Sequence, residues 1–302
     1  MSVTSSSAAE SGSLTGRDLL LLIGMNLIWG LNLISSKIGV GQFPPIFFTA
    51  MRFGSLALFL VPMLKVHRGQ MTNLFAAAML TGPAAFALLF AGIFLTEDAA
   101  TVAVATQMSV PFATLMSVMF LGETIRWRRI LGIVLAFAGI VIISFDPRVF
   151  AYWEGLALVV CSSFVSSLGL IFLKRLKGIR PLELQSWIAL VGGAILLLLS
   201  LILEGGQVDA IRNATWQGWS ALLFTTVMSS LIAHTAWYYL VGRYPVTSIS
   251  PITLLSPLFG IFFGVTLLHD QLTPRMLAGG AVTLIGVLIV VLREQRIADT
   301  GT

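Results

Sequence analysis

The chain has 302 residues, of which 57% are hydrophobic and only 10% charged, with a net charge of +5 and a mean hydropathy of +0.95. A soluble domain carries roughly 25% charged residues, so the composition excludes an ordinary soluble enzyme or binding module and places the chain in a bilayer. The positive balance belongs to loops, and no basic face with interleaved aromatics offers itself to nucleic acid.

In chain order, residues 1–17 are small and polar and read as a disordered cytoplasmic N-terminus. They lack the basic start and cleavage site of a secretory signal, so the following apolar run stays as a span. Apolar runs long enough for a hydrocarbon core of roughly 30 Å fall at 18–37, 46–65, 73–95, 98–121, 128–145, 153–173, 182–203, 215–239, 244–268 and 275–292. We number these expected spans 1 to 10. With the N-terminus inside, 13 of the Lys and Arg side chains fall in cytoplasmic segments and 4 in outer ones, with Arg52 inside span 2. That bias follows the positive-inside rule and an even number of spans, with both termini cytoplasmic. Residues 293–302 form a cytoplasmic tail. The single cysteine, Cys161, excludes an intrachain disulfide and a cysteine metal cage. It lies in an apolar run and reads as a buried, inert thiol.

Two stretches repeat each other. LGETIRWRRILGIVLAFAGIVII begins at Leu121 and LHDQLTPRMLAGGAVTLIGVLIV at Leu268. At an offset of 147, Glu123 falls on Asp270, Arg128 on Arg275, Gly132 on Gly279 and Gly139 on Gly286. The repeats are expected at 18–146 and 147–292, five spans each. An odd number of spans per copy makes the second enter from the opposite face, so the halves are inverted around a central path. The fold class expected is an all-α integral membrane protein with ten transmembrane helices, two inverted five-helix repeats around a central cavity.

Mid-span polar residues either glue helices or line a wet cavity. Span 1 places Trp29, Asn32 and Ser36 on one helical face. Span 3 carries Phe86, Phe90 and Phe94, a stripe that faces lipid or core, or else stacks on an aromatic or planar cationic solute. Span 4 carries Gln107, Ser109 and Pro111, and span 9 carries Thr253, Ser256 and Pro257 at an equivalent place. A helical proline frees the carbonyl four residues back, so these pairs are expected to offer acceptors to a cavity. The alternative is that neighbouring helices satisfy them. Span 6 offers Ser162, Ser163, Ser166 and Ser167, which suit helix packing. Span 8 aligns Ser230, His234, Trp237 and Tyr238. His234 either carries a proton or stays neutral between helices, and the aromatics either line a cavity or join the interfacial belt. Arg52 either meets a substrate carboxylate or pairs structurally. Glu123 and Asp270 are expected to fix turns and to pair with nearby basic residues.

The LGE…G…G pattern beginning at Leu121, the early Trp29-Gly30-Leu31-Asn32 and the five-plus-five arrangement resemble the EamA-type transporters of the drug/metabolite transporter superfamily. The likeness spans about residues 18–292, and the second copy departs from it with His269-Asp270 in place of Gly-Glu. Within the family the chain is most similar to bacterial exporters of aromatic amino acids. The resemblance implies ten helices around a cavity in the cytoplasmic (inner) membrane, and export of small amphipathic metabolites by alternating access. It implies a small-molecule substrate and no cofactor. Aromatic and other neutral amino acids lead; cationic drugs are the alternative in the same family. No phosphate loop of an ATPase occurs, so energy comes from gradients. Span centres lack acids, which argues against a carboxylate proton relay and is compatible with a facilitator. An intramembrane enzyme would need a zinc motif, paired aspartates or an oriented Ser-His dyad. The chain has no H-E-x-x-H, and nothing orients His234 beside Ser230. A channel is the second rival. Oligomeric state is not written in the sequence.

Overall fold

A computed structural model describes residues 14–95, 105–144, 153–267 and 272–300. The polar N-terminus up to residue 13, the first part of span 4, the link at 145–152 with Arg148, and His269 and Asp270 lie outside the described residues. Every regular element among the described residues is helical.

In chain order the helices are α1 (Gly16–Val40), α2 (Pro45–Leu60), α3 (Met71–Met79), α4 (Ala85–Phe94), α5 (Ser109–Leu121), α6 (Trp127–Ser144) and α7 (Trp153–Lys174). They continue with α8 (Pro181–Leu203), the short α9 (Gln207–Asn213), α10 (Trp216–Phe224), α11 (His234–Arg243), α12 (Val246–Ile249), α13 (Leu255–Leu267) and α14 (Pro274–Thr300). Eight stretches among the described residues are long and apolar enough to cross a membrane, with α5 a shorter apolar helix.

The helix starts follow local chemistry. Thr15 caps α1, its hydroxyl accepting the amide N–H of Asp18 at 3.2 Å. Proline opens α2, α8 and α14, where its missing N–H costs nothing. Two spans are built from paired helices through a wide π turn. Leu80–Ala84 joins α3 to α4 around Pro83, with Gly82 off the helical backbone at φ −102° and ψ −113°. Thr225–Ala233 joins α10 to α11. A 3₁₀ segment, Ser250–Leu254, joins α12 to α13.

The core runs through Leu22 of α1, Leu56 of α2, Leu74 of α3, Ile188 and Leu196 of α8, Leu240 of α11 and Ile252 of the 3₁₀ segment. Outward faces stay apolar: Leu20, Leu58 and Ile202 are 72%, 78% and 76% exposed. In lipid such a surface needs no cover. Trp127, Trp153 and Trp216 open α6, α7 and α10 and are exposed, as residues of an interfacial belt are. Cys161 is exposed, against the expectation of a buried thiol. An apolar run in a membrane helix does not distinguish a core face from a lipid face.

Helices α6 and α14 lie against each other along their small residues. A Cβ on Gly132 would stand 2.8 Å from the carbonyl oxygen of Gly286, and one on Gly279 would stand 2.5 Å from that of Gly139. The residue numbers run in opposite senses, so the helices are antiparallel. The Thr283 hydroxyl donates to the carbonyl of Ala136 at 3.3 Å and to that of Gly279 at 2.8 Å.

Candidate functional site

The interruptions in the helices decide where the cavity lies. A cavity of about 220 Å³ opens between α1, the α3–α4 turn, α5, α7, α11 and the 3₁₀ segment. Its walls are Trp29; Thr81; Ser109, Val110 and Ala113; Ser166, Ser167 and Leu170; His234, Trp237 and Tyr238; and Ser250 and Thr253. Departures from α-helical hydrogen bonding recur at functional sites because they aim side chains and backbone inward. Here the wall takes residues from, or next to, both π turns, the 3₁₀ segment and the start of α5.

Aromatic edges form one side. The rings of Trp29 and His234 meet edge to face at 5.2 Å, Trp29 and Trp237 at 6.1 Å, and His234 and Tyr238 at 6.2 Å. The Nδ1 of His234 lies 2.7 Å from the Ser229 carbonyl oxygen. That oxygen holds only lone pairs, so Nδ1 carries the proton and donates it. The ring is thereby fixed on the π turn, and its Nε2 has no hydrogen-bond partner among the described residues. The Trp29 indole N–H lies 3.4 Å from the same Nδ1, whose lone pair is not available to it.

The serines of α7 satisfy the backbone that the interruptions leave open. Ser162 donates to the carbonyl of Ala85 at 2.7 Å, just past the π turn. Ser163 donates to Ala105 and Thr106 at 3.2 Å each, and Ser167 to Ser109 at 3.0 Å. This is the compensation a broken membrane helix needs. On the wall, Thr81 and Thr253 spend their hydroxyl protons on the carbonyls of Ala77 and Ser250.

Of the residues singled out from sequence, Trp29, Ser109, His234, Trp237, Tyr238 and Thr253 line the cavity. Asn32, Phe86, Phe90, Gln107, Pro111, Ser256 and Pro257 do not. Phe86 stacks edge to face on Phe53 at 5.6 Å and lies 6.1 Å from Phe90, within the packing between α2 and α4. Pro111 and Pro257 are the third residues of α5 and α13, so they start helices rather than kink them. The carbonyl of Gln107 is taken by the Val110 N–H at 3.1 Å, and that of Thr253 by the Leu255 N–H. Thr81 was the wall residue least visible in sequence; the Gly82-Pro83 pair inside span 3 is the signal for it.

Two clusters tie the ends of the helices. Gly122 adopts φ +67°, the left-handed turn that ends α5. It delivers Glu123 to the start of α12, where its carboxylate accepts the amide N–H groups of Val246 and Thr247 at 2.9 Å each. Lys174 donates to the carbonyls of Val241 and Tyr244, and Arg129 to the Thr247 hydroxyl at 2.8 Å. Tyr244 donates to Asp18 of α1. Burial, and then this bond, hold the Tyr244 phenol above its ordinary pKa. At another helix start, Glu204 accepts the N–H groups of Ile46 and Phe47 at 2.7 and 2.8 Å, capping α2.

Residues 17–145 and 153–292 each match the EamA-like transporter family. A Salmonella typhimurium protein named "Probable amino-acid metabolite efflux pump" is 26% identical over 282 residues, covering 90% of this chain and 94% of its own length. An Escherichia coli protein of the same name is 25% identical over 296 residues, covering 95% of this chain and 99% of its own. A solved structure superposes with a TM-score of 0.77 over 93% of this chain and 98% of that one, at 16% identity, which speaks for the fold alone. Helices made for lipid, a small-solute cavity between them and a family match over both halves converge: the chain is a multi-pass membrane transporter of the EamA family, in the drug/metabolite transporter superfamily.

Proposed function

We propose that this transporter exports small amphipathic metabolites, aromatic and other neutral amino acids foremost, from the cytoplasm by alternating access. The observation that carries the reading is the cavity. At about 220 Å³ it is smaller than the roughly 300–1,000 Å³ of drug-sized pockets, and Trp29, Trp237 and Tyr238 give one side the aromatic surface an aromatic side chain stacks on. Hydroxyls of Ser109, Ser166 and Ser250 supply polar contacts on other walls. Wall residues come from both halves of the sequence, as a site at a repeat interface requires. Two relatives whose printed name is an amino-acid metabolite efflux pump support the direction and the solute class.

The architecture we propose has ten spans in the inner membrane: the eight apolar stretches together with α5 and α6. They form two inverted repeats, 18–146 and 147–292, with both termini cytoplasmic. The α6–α14 contact supports inversion. Gly132 meets Gly286 and Gly139 meets Gly279, while the repeat pairs Gly132 with Gly279 and Gly139 with Gly286. Ala136 touches Thr283, its own equivalent at an offset of 147. Equivalent residues that meet across antiparallel helices lie on a two-fold axis perpendicular to them. The π turns at Leu80–Ala84 and Thr225–Ala233 also fall at matching places in the two halves.

Uptake of labelled tryptophan, phenylalanine and threonine into proteoliposomes, with and without a pH gradient, tests the function. Saturable flux of at least one aromatic amino acid is expected. No flux of any amino acid would contradict it.

A further inference from the structure

One buried charge is left unexplained by the cavity's own walls. Arg52 of α2 is 8% exposed in the middle of an apolar helix. Its Nε donates to the Ser230 hydroxyl at 2.5 Å and its Nη2 to the Ser229 hydroxyl at 3.1 Å. Both acceptors are neutral, and among the described residues no carboxylate reaches it; its guanidinium also lies 5.7 Å from the centre of the Phe53 ring. Its Nη1 makes no hydrogen bond among the described residues. A charged side chain in a membrane interior is costly unless it is paired or meets a functional anion.

The position of Arg52 is not neutral with respect to the cavity. Ser229 and Ser230 belong to the π turn that holds His234, and the Ser229 whose hydroxyl accepts from Arg52 also offers its carbonyl to the His234 ring on the cavity wall. The wall itself holds no acid among the described residues. Two of its donors, the Trp237 indole N–H and the Tyr238 hydroxyl, have no hydrogen-bond partner among the described residues. Among the described residues, one fixed cation, two free donors and no anion make a positive pole beside an aromatic surface.

We propose that Arg52 is the specificity-determining cation of the transport cavity. It selects solutes that carry a carboxylate, seats that carboxylate toward the Tyr238–His234 side, and rejects solutes whose only charge is positive. This rests on the transport function proposed above and sharpens it, because it separates amino acids and other carboxylate solutes from the cationic drugs that the family resemblance left open.

The test competes labelled phenylalanine counterflow in proteoliposomes with two half-substrates: 3-phenylpropionate, which keeps the carboxylate, and phenethylamine, which keeps only the amine. The same compounds are followed by thermal stabilisation of the detergent-purified transporter. In the wild type, phenylpropionate competes and stabilises, and phenethylamine is at least about tenfold weaker, the scale of one charge-assisted bond in a dry site. Arg52→Gln loses that preference, and Arg52→Lys keeps part of it. Equal or better competition by phenethylamine overturns the proposal, as does an Arg52→Gln variant that keeps the preference. If Arg52→Gln yields no folded protein, the wild-type comparison and Arg52→Lys decide. The two claims fail differently. Absence of amino-acid flux with carboxylate-selective stabilisation sinks the transport reading alone, and flux without carboxylate preference sinks only the role of Arg52.

Discussion

At the residue scale, one glutamate and two tryptophans carry different burdens. Glu123 stands at the start of the repeat signature, and its carboxylate caps the first two amides of α12. Loss of a helix N-cap costs about 1–2 kcal/mol, so Glu123→Ala should lower the thermal midpoint in detergent by a few degrees, with Glu123→Gln intermediate. A melting curve unchanged in both would show the contact to be idle. Trp29 and Trp237 make the aromatic side of the cavity 6.1 Å apart. Replacing either with alanine should lower amino-acid flux about tenfold, the order of one lost aromatic stacking contact, while the melting curve stays near wild type. Flux unchanged in both variants would place the solute elsewhere. The sequence spoke clearly about such residues where a polar or aromatic side chain interrupts an apolar helix, as at Trp29, His234 and Thr253. It spoke poorly where spacing gives only a face. Phe86 and Phe90 share the face that meets Phe53 of α2, and no periodicity distinguishes a neighbouring helix from a cavity.

At the element scale, the interrupted helices decide the site. An uninterrupted helix was expected over 73–95; the structure turns wide at Leu80–Ala84, and Thr81 faces the cavity from that turn. The cause, Gly82-Pro83, is a local breaker that a hydropathy window averages away. Prolines at 111 and 257 are equally visible, but they lie in the first turns of helices, and the carbonyls they were expected to free already accept the N–H groups of Val110 and Leu255. Straightening the turn with Pro83→Ala restores a backbone donor and should withdraw Thr81 from the wall. It is expected to reduce flux several-fold in protein that melts no lower than wild type, and equal flux would make the π turn a packing feature. The glycines of α6 and α14 carry the opposite sensitivity. A Cβ at Gly132 would press on the Gly286 carbonyl, so Gly132→Leu should cost about 1–3 kcal/mol by overpacking. The readout is the melting midpoint, and an unshifted one would mean that α6 and α14 separate freely.

At the scale of the whole molecule, composition alone pointed to a bilayer, and the distribution of Lys and Arg is the ground for the orientation proposed, which the helices themselves do not show. A single cysteine placed in the 205–213 segment, which includes α9, on a Cys161→Ser background because Cys161 is exposed, should react with an impermeant thiol reagent from outside the cell. Reaction only after lysis would reverse the orientation. The internal repeat led to the expectation of a cavity, and wall residues come from both halves of the sequence. The cavity's exact walls were not legible, because they depend on which helix crosses which, and the Ala136–Thr283 contact on which the proposed axis rests joins residues with no individual signal in sequence.

The central claim, alternating access to one amino-acid site, is tested most directly by counterflow. Proteoliposomes loaded with unlabelled phenylalanine and diluted into a trace of labelled phenylalanine should accumulate label transiently above equilibrium, saturably, and less when Trp29 is replaced by alanine. Label that enters without overshoot, at a rate linear in concentration, would contradict the account and describe a channel.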